Sequence, residues 1–324
     1  MRLRALLKTL IPLSVGILFI YLSVRQTTAE QQQEIWSNFK KADLKFVFLS
    51  VLFGFLSHLS RAYRWLYLLK PLGYQPKFIN SVLTVFVAYI ANLGIPRSGE
   101  VLRASLLWNY EKVPFDKSFG TIVLERLVDL IFLALVVAIA LILQFDLIYS
   151  TLFGASRLDL YTVLLFIGSG LLLFFGVKYF WKRSFSGKAR IQNFVEGLRD
   201  GILSFRTMEH KWAFVAHSVF IWTMYIAMFY VIKWTVPQTF GLGLDAIIPA
   251  FVVGALAISA TNGGIGVYPF GVALVLQSFG IAEAPSLSFG WIMWTAQTAM
   301  VVLAGGASFL LLPFVNTIKS SRHG

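Results

Sequence analysis

The chain has 324 residues, 57% of them hydrophobic and 13% charged, with mean hydropathy +0.74 and a formal net charge of +13. A water-soluble domain carries about a quarter charged residues, so this balance excludes one. The lack of cysteine excludes disulfides, thiolate nucleophiles and thiolate metal sites. In so apolar a chain the basic excess reads as the Lys/Arg bias of cytoplasmic loops, with no nucleic-acid partner expected.

In chain order, the N-terminus carries Arg2, Arg4 and Lys8 before an apolar run to Val24. Thr27 and Ala29 offer a cleavage-like spacing, but the run is long for a signal peptide and reads as a retained span over 6–24. Further full spans are predicted over 46–68, 119–144, 160–180, 212–232 and 287–313. Two other apolar stretches, 78–112 and 246–283, are broken in the middle. The first break is Leu93-Gly94-Ile95-Pro96-Arg97-Ser98-Gly99-Glu100 and the second Thr261-Asn262-Gly263-Gly264-Ile265-Gly266-Val267-Tyr268-Pro269. Each arm is short for a crossing.

Charge orients these elements. The most basic loop, 178–211, holds Lys178, Lys182, Arg183, Lys188, Arg190, Arg199, Arg206 and Lys211 and is expected in the cytoplasm. The N-terminus and the tail with Lys319 and Arg322 are expected there too. All three share one side if 78–112 enters from the cytoplasm and returns, while 246–283 does the same from outside. Both are then re-entrant hairpins, tolerated where irregular backbone is buried in protein or lines a wet cavity. Two complete crossings per broken segment also satisfy the parity, but with short arms.

The order of elements then repeats with inverted direction, residues 1–150 forming one half and 151–324 the other, within a single transmembrane domain. Segments 30–43 and 188–208 occupy matching places and read as amphipathic helices in opposite interfaces. The predicted fold class is an all-α integral membrane protein with six transmembrane helices, two re-entrant helical hairpins and an inverted repeat. In transporters, paired broken segments of this kind point to a midplane site.

A charge near the bilayer centre costs about 2.5–3.5 kcal/mol on insertion scales unless paired or hydrated. Glu125, Arg126 and Asp129 lie within one predicted span. Glu125 and Asp129 share a face at i,i+4, and the cation between them is expected from another element. These residues either line a polar site or form a structural ion pair. Arg97, Glu100 and Arg103 recur every third residue after the first break. An arm starting near Ser98 turns free N–H groups and a positive dipole end toward the tip, a setting for an anion with Arg as the bidentate partner. If 78–95 is instead a complete span, these charges sit in water. The glycines of the second break allow close backbone approach to a ligand or simply a tight turn, and Pro269 suits the first turn of the returning helix. In the second span His58, Arg61 and Trp65 share a face, and Arg64 is expected to snorkel to the interface. His58 reads as a packing residue rather than a metal ligand. No catalytic triad order, paired-His metal motif or phosphate-binding loop occurs in the sequence, so no enzyme activity, metal or cofactor is expected.

Ser57-His58, Arg61, Arg64-Trp65, Asn92, Pro96-Arg97-Ser98-Gly99-Glu100, Arg103, Leu124-Glu125-Arg126, Asp129 and Asn262-Gly263-Gly264-Ile265-Gly266 together resemble the flippase-like family named for the transmembrane region of lysylphosphatidylglycerol synthase. The resemblance covers nearly the whole chain. It implies a bacterial or archaeal cytoplasmic-membrane protein handling phospholipid or lipid-linked sugar. About a dozen residues follow the last predicted span, where the bifunctional synthases carry an aminoacyltransferase domain, so synthase activity is not expected.

The substrate site is accordingly expected at His58, Arg61, Asn92, Arg97, Glu100, Arg103, Glu125, Arg126, Asp129, Asn262, Gly263, Gly264 and Gly266. The expected function is a lipid flippase or transporter in the cell membrane with both termini cytoplasmic. The alternatives are a membrane-embedded subunit or enzyme of lipid or glycolipid modification, and a scaffold for a soluble transferase partner.

Overall fold

The computed structural model describes Tyr21 and residues 27–95, 97–144, 189–261 and 263–317. The predicted spans 6–24 and 160–180, and Pro96 and Asn262 at the two breaks, lie outside the described residues. Every regular element among the described residues is helical.

Helix α1 (Ala29–Lys41) starts at a capping box, in which Thr28 and Gln31 satisfy each other's backbone N–H groups. Asp43 caps the next helix, α2 (Leu44–Leu69), which a 3₁₀ turn over Lys70–Leu72 and left-handed Gly73 bring to an end. Helices α3 (Phe78–Gly94) and α4 (Ser98–Glu111) form the first hairpin. Its two arms close at the base, where Glu111 Oε1 accepts from Lys77 N at 3.1 Å and Asn80 Nδ2 at 2.5 Å. Near the tip, Asn92 Oδ1 accepts from Gly99 N at 2.7 Å, and any Cβ at Gly99 would run into the Ala88 carbonyl. After Pro114 comes α5 (Phe115–Leu143). Then follow α6 (Ala189–Thr207) and α7 (Lys211–Val231). Helices α8 (Leu244–Ala260) and α9 (Val267–Ser278) make the second hairpin, with Pro269 in the first turn of α9, and α10 (Glu283–Thr317) ends the described chain.

Among the described residues, four helices are long and apolar enough to cross a membrane: Leu44–Leu72, Phe115–Leu143, Lys211–Thr235 and Glu283–Asn316. Each coincides with a span predicted from sequence to within a few residues at either end. Of the hairpin arms, α3, α8 and α9 are shorter apolar helices, and α4 is a short helix of mixed polarity. At 1.5 Å per residue they reach only about 18–25 Å. Outward on α5 stand Leu127, Leu130, Ile131, Leu135, Ile139 and Ile142, all exposed. So continuous an apolar exposed face suits hydrocarbon, not water.

The two amphipathic helices lie at opposite ends of the long ones. Helix α1 is tied to the start of α10, through Gln31 to Glu283 (3.1 Å) and Asn38 to Ser288 (3.1 Å). Helix α6 packs on the start of α5, where Gly120 and Gly201 let the two backbones approach. Just beyond α6, Glu209 accepts from Lys70 at 2.8 Å at the far end of α2. That hydrogen bond and charge hold the Glu209 carboxyl below the usual carboxylate range. The first hairpin has its base at the α6 end, where Asn80 exchanges hydrogen bonds with Asn316 of α10. The second has its base at the α1 end, where Gln144, just past α5, donates to the Asp245 carbonyl.

Two apolar clusters fill these ends. One gathers Trp65, Leu68, Leu69, Leu107 and Phe214, and the other Phe229, Ile247, Phe251, Val272 and Phe289. Along α5, Leu124 and Val128 belong to the first, and Phe132 and Leu133 to the second. Glu125, Arg126 and Asp129 of α5 fall at this junction.

Candidate functional site

Asp129 is the middle residue of the 29-residue helix α5, about 21 Å from either end at 1.5 Å per residue. Glu125 lies one turn away and is 1% exposed. The cations for both come from other helices. Arg61 of α2 donates to Asp129 Oδ2 at 2.5 Å, and Arg64 to Asp129 Oδ1 at 3.0 Å. Arg103 of α4 donates to Glu125 Oε2 at 2.6 Å, while Arg64 Nε lies 3.6 Å from Glu125 Oε1. Arg64 thus bridges two carboxylates that would otherwise repel across one helical turn.

The expected snorkelling of Arg64 to the interface is therefore corrected. Its side chain is fully buried and its third contact is the Ser218 hydroxyl at 2.9 Å. Two buried anions within reach outweigh access to water, because a lone buried carboxylate costs several kcal/mol even after relaxation.

Around this pairing the polar groups continue. Arg126 reaches Glu100 at 2.9 Å and comes within 3.8 Å of Asp129. Arg61 also donates to the Tyr225 hydroxyl at 3.2 Å, which lies 3.4 Å from that of Tyr89. His58 is buried against Phe86 and Tyr89. Arg103 lies flat against Trp65, its guanidinium carbon 3.7 Å from the ring centre. Trp65 is anchored in turn by Nε1 donating to Thr121 at 2.8 Å. Four guanidinium groups face three carboxylates, so the cluster holds one positive charge in excess.

A small pocket opens beside this cluster, lined by Arg61, Tyr89, Asn92, Glu100, Arg103 and Arg126 with Val85, Ala88 and Ile122. Arg126 is 43% exposed and stands next to outward-facing Leu127 and Leu130. The pocket's rim is therefore apolar on the side where its cation reaches out.

Of the residues singled out from sequence, His58, Arg61, Asn92, Glu100, Arg103, Glu125, Arg126 and Asp129 come together at this one place. Arg97 does not. It is exposed at the left-handed N-cap of α4, with φ 60°, and does not line the pocket. Gly263, Gly264 and Gly266 also lie apart from the pocket. Their φ angles of 63°, 76° and 69° make the tight turn, and the Gly263 carbonyl accepts from Trp294 Nε1 at 2.8 Å. Asn262 lies outside the described residues. Sequence reasoning missed Tyr89, Tyr225, Ser218 and the pairing role of Arg64. For Arg64 a signal existed, since Arg61 and Arg64 stand three apart in an apolar helix, as carboxylate partners would require. The three polar partners carry no such mark.

These features define a multi-pass, all-helical membrane protein with a charged pocket buried among its helices. The chain belongs to the family described as the lysylphosphatidylglycerol synthase transmembrane region, whose model matches residues 9–306. It is also similar to the UPF0104 membrane protein MJ1595 of Methanocaldococcus jannaschii, 32% identical over 88 residues. That match covers 26% of this chain and 26% of the relative's length.

Proposed function

We propose that the protein binds the head group of a phospholipid or lipid-linked sugar in this pocket and carries it across the cytoplasmic membrane, with no chemistry of its own. The observation that carries this reading is a pocket halfway along the helices whose lining holds three arginines, Arg61, Arg103 and Arg126, against one carboxylate, Glu100, beside a cluster of four arginines and three carboxylates. An isolated ion in hydrocarbon costs tens of kcal/mol on Born estimates. A head-group phosphate needs replacement ligands at that depth, and arginines supply them while acyl chains stay in lipid past the apolar rim. Membership of a family named for a lipid synthase's membrane region adds weight from an independent direction.

The same reading takes the two broken segments as re-entrant hairpins within an inverted repeat of six spans, both termini cytoplasmic. Its support is the meeting of the hairpin tips, Leu93 against Gly263, from bases at opposite ends of the bundle. Complete double crossings would leave those tips about 30 Å apart. The α6 end, with Lys70, Lys77, Lys112, Lys117 and Lys211 around it, faces the cytoplasm on this reading.

The test is transport of head-group-labelled phospholipids and lipid-linked sugars in proteoliposomes of purified protein. The expected result is movement of at least one lipid class by the wild type and its loss in Arg103→Lys at unchanged thermal stability. Wild-type protein that moves none across a broad panel overturns the proposal in favour of a transferase subunit or scaffold.

A further inference from the structure

Arg103 spends only part of its donor capacity. Its Nη1 goes to Glu125 and its flat face to Trp65, while Nε and Nη2 are buried with no partner among the described residues. Those two nitrogens form one edge of the guanidinium, spaced to meet two oxygens of a single phosphate or carboxylate. One turn earlier on α4, Glu100 gives Oε1 to Arg126, and its buried Oε2 is also without a partner. Both residues line the same pocket.

A free donor edge and a free carboxylate oxygen, on two residues that line one pocket, make a mixed demand. A bare phosphate satisfies the first and is repelled by the second. A buried acceptor left unpaired is costly, so the ligand should bring its own N–H or O–H. We infer that the pocket is selective for a phosphodiester whose head group carries an ammonium or hydroxyl donor. The phosphate sits on the Nε/Nη2 edge of Arg103 and the donor on Glu100 Oε2. This rests on the head-group reading above and narrows it, setting such diesters apart from phosphatidate. The same chemistry exists in tail-free glycerophosphodiesters, which the experiment separates.

Purified full-length protein in detergent is titrated calorimetrically with dihexanoyl phosphatidylethanolamine, dihexanoyl phosphatidate and glycerophosphoethanolamine. The expected order is phosphatidylethanolamine over phosphatidate by about tenfold, the value of one charge-assisted contact, with the tail-free diester weakest. In Glu100→Gln that preference should collapse to near parity. Equal affinity for the two lipids in the wild type overturns the inference and leaves the proposed function standing, without recourse to any variant. A preference that survives Glu100→Gln overturns the assignment to Glu100. Binding of the tail-free diester alone overturns the lipid reading, and binding of none of the three overturns the inference.

Discussion

Leu93, in the last turn of the first hairpin's outgoing arm, lies against Gly263 at the tip of the second, so closely that a Cβ on Gly263 would strike the leucine side chain. Asn92, the neighbour of Leu93, lines the charged pocket, and the Gly263 carbonyl is held by Trp294. The two tips therefore connect the pocket's wall to α10.

That contact predicts a cross-link. In the cysteine-free chain, Leu93→Cys with Gly263→Cys should form a disulfide under mild oxidation in membranes. The Cβ built on Gly263 is 3.9 Å from the Leu93 Cα, within bridging reach. Mass spectrometry of the proteolysed protein reads the linked peptide. Absence of the link, with both thiols still reactive, would mean that the tips are apart in the membrane.

Orientation is checked by single cysteines at Glu209 and Gln238. Both positions are exposed, the first beside α6 and the second near the α1 end. An impermeant maleimide applied to intact cells should label Gln238→Cys and spare Glu209→Cys until the membrane is opened. The reverse pattern would invert the topology and put the basic α6 end outside, against the positive-inside bias.

Gly264 has φ 76°, with Ile258 and the Tyr268 Cβ crowding the place of any added carbon. Gly264→Ala should destabilise the protein by more than about 1 kcal/mol, since alanine resists positive φ. The expected signature is a lower thermal midpoint and reduced yield, with head-group selectivity intact in the surviving fraction. Altered selectivity at normal stability would instead bring this turn into contact with ligand.

How much of the structure is legible in the sequence depends on the interaction. The long spans were legible because their signal, an unbroken apolar run, is local. The two helix breaks were legible as Gly/Pro interruptions of apolar runs. Glu125 and Asp129 announced themselves as two anions on one face needing an outside cation. Arg61 and Arg64 left a trace, three apart in an apolar helix, but which cation meets which carboxylate was not legible, because Arg61, Arg64 and Arg103 reach them across contacts between helices. Arg97 misled for a related reason. It shares a three-residue rhythm with Glu100 and Arg103, yet it precedes α4 in a left-handed conformation, where the helical rhythm has not begun.

Glu125 anchors two buried arginines, Arg64 and Arg103. Glu125→Ala strands Arg103, removes one of the two carboxylates beside Arg64 and should cost about 3–5 kcal/mol, the range for breaking a buried pair from one side. Replacing the Arg103–Glu125 pair together, as Arg103→Met with Glu125→Leu, should recover part of that stability in detergent unfolding while leaving head-group binding lost. If the double variant is no more stable than Glu125→Ala, then Arg64 and not Arg103 carries the dependence.

The sharpest separation lies between Arg97 and Arg103, which look equivalent in sequence. Arg97 is exposed and outside the pocket, whereas Arg103 is buried, paired with Glu125 and stacked on Trp65. Arg97→Ala should change head-group affinity by less than about twofold, in line with the small worth of exposed charges. Arg103→Ala should reduce it by about ten- to a hundredfold, the equivalent of a lost charge-assisted contact of about 1.5–3 kcal/mol. Because that variant also strands Glu125, Arg103→Lys is the deciding one. An ammonium can keep the pairing with Glu125 but has no planar edge for two phosphate oxygens, so stability should hold while affinity falls. Measured side by side, thermal midpoint and calorimetric affinity of the three variants distinguish the roles. If Arg103→Lys binds like the wild type, charge alone suffices and no side-on seat exists at Arg103. If Arg97→Ala proves as damaging as Arg103→Ala, the anion is met at the hairpin tip before it reaches the pocket.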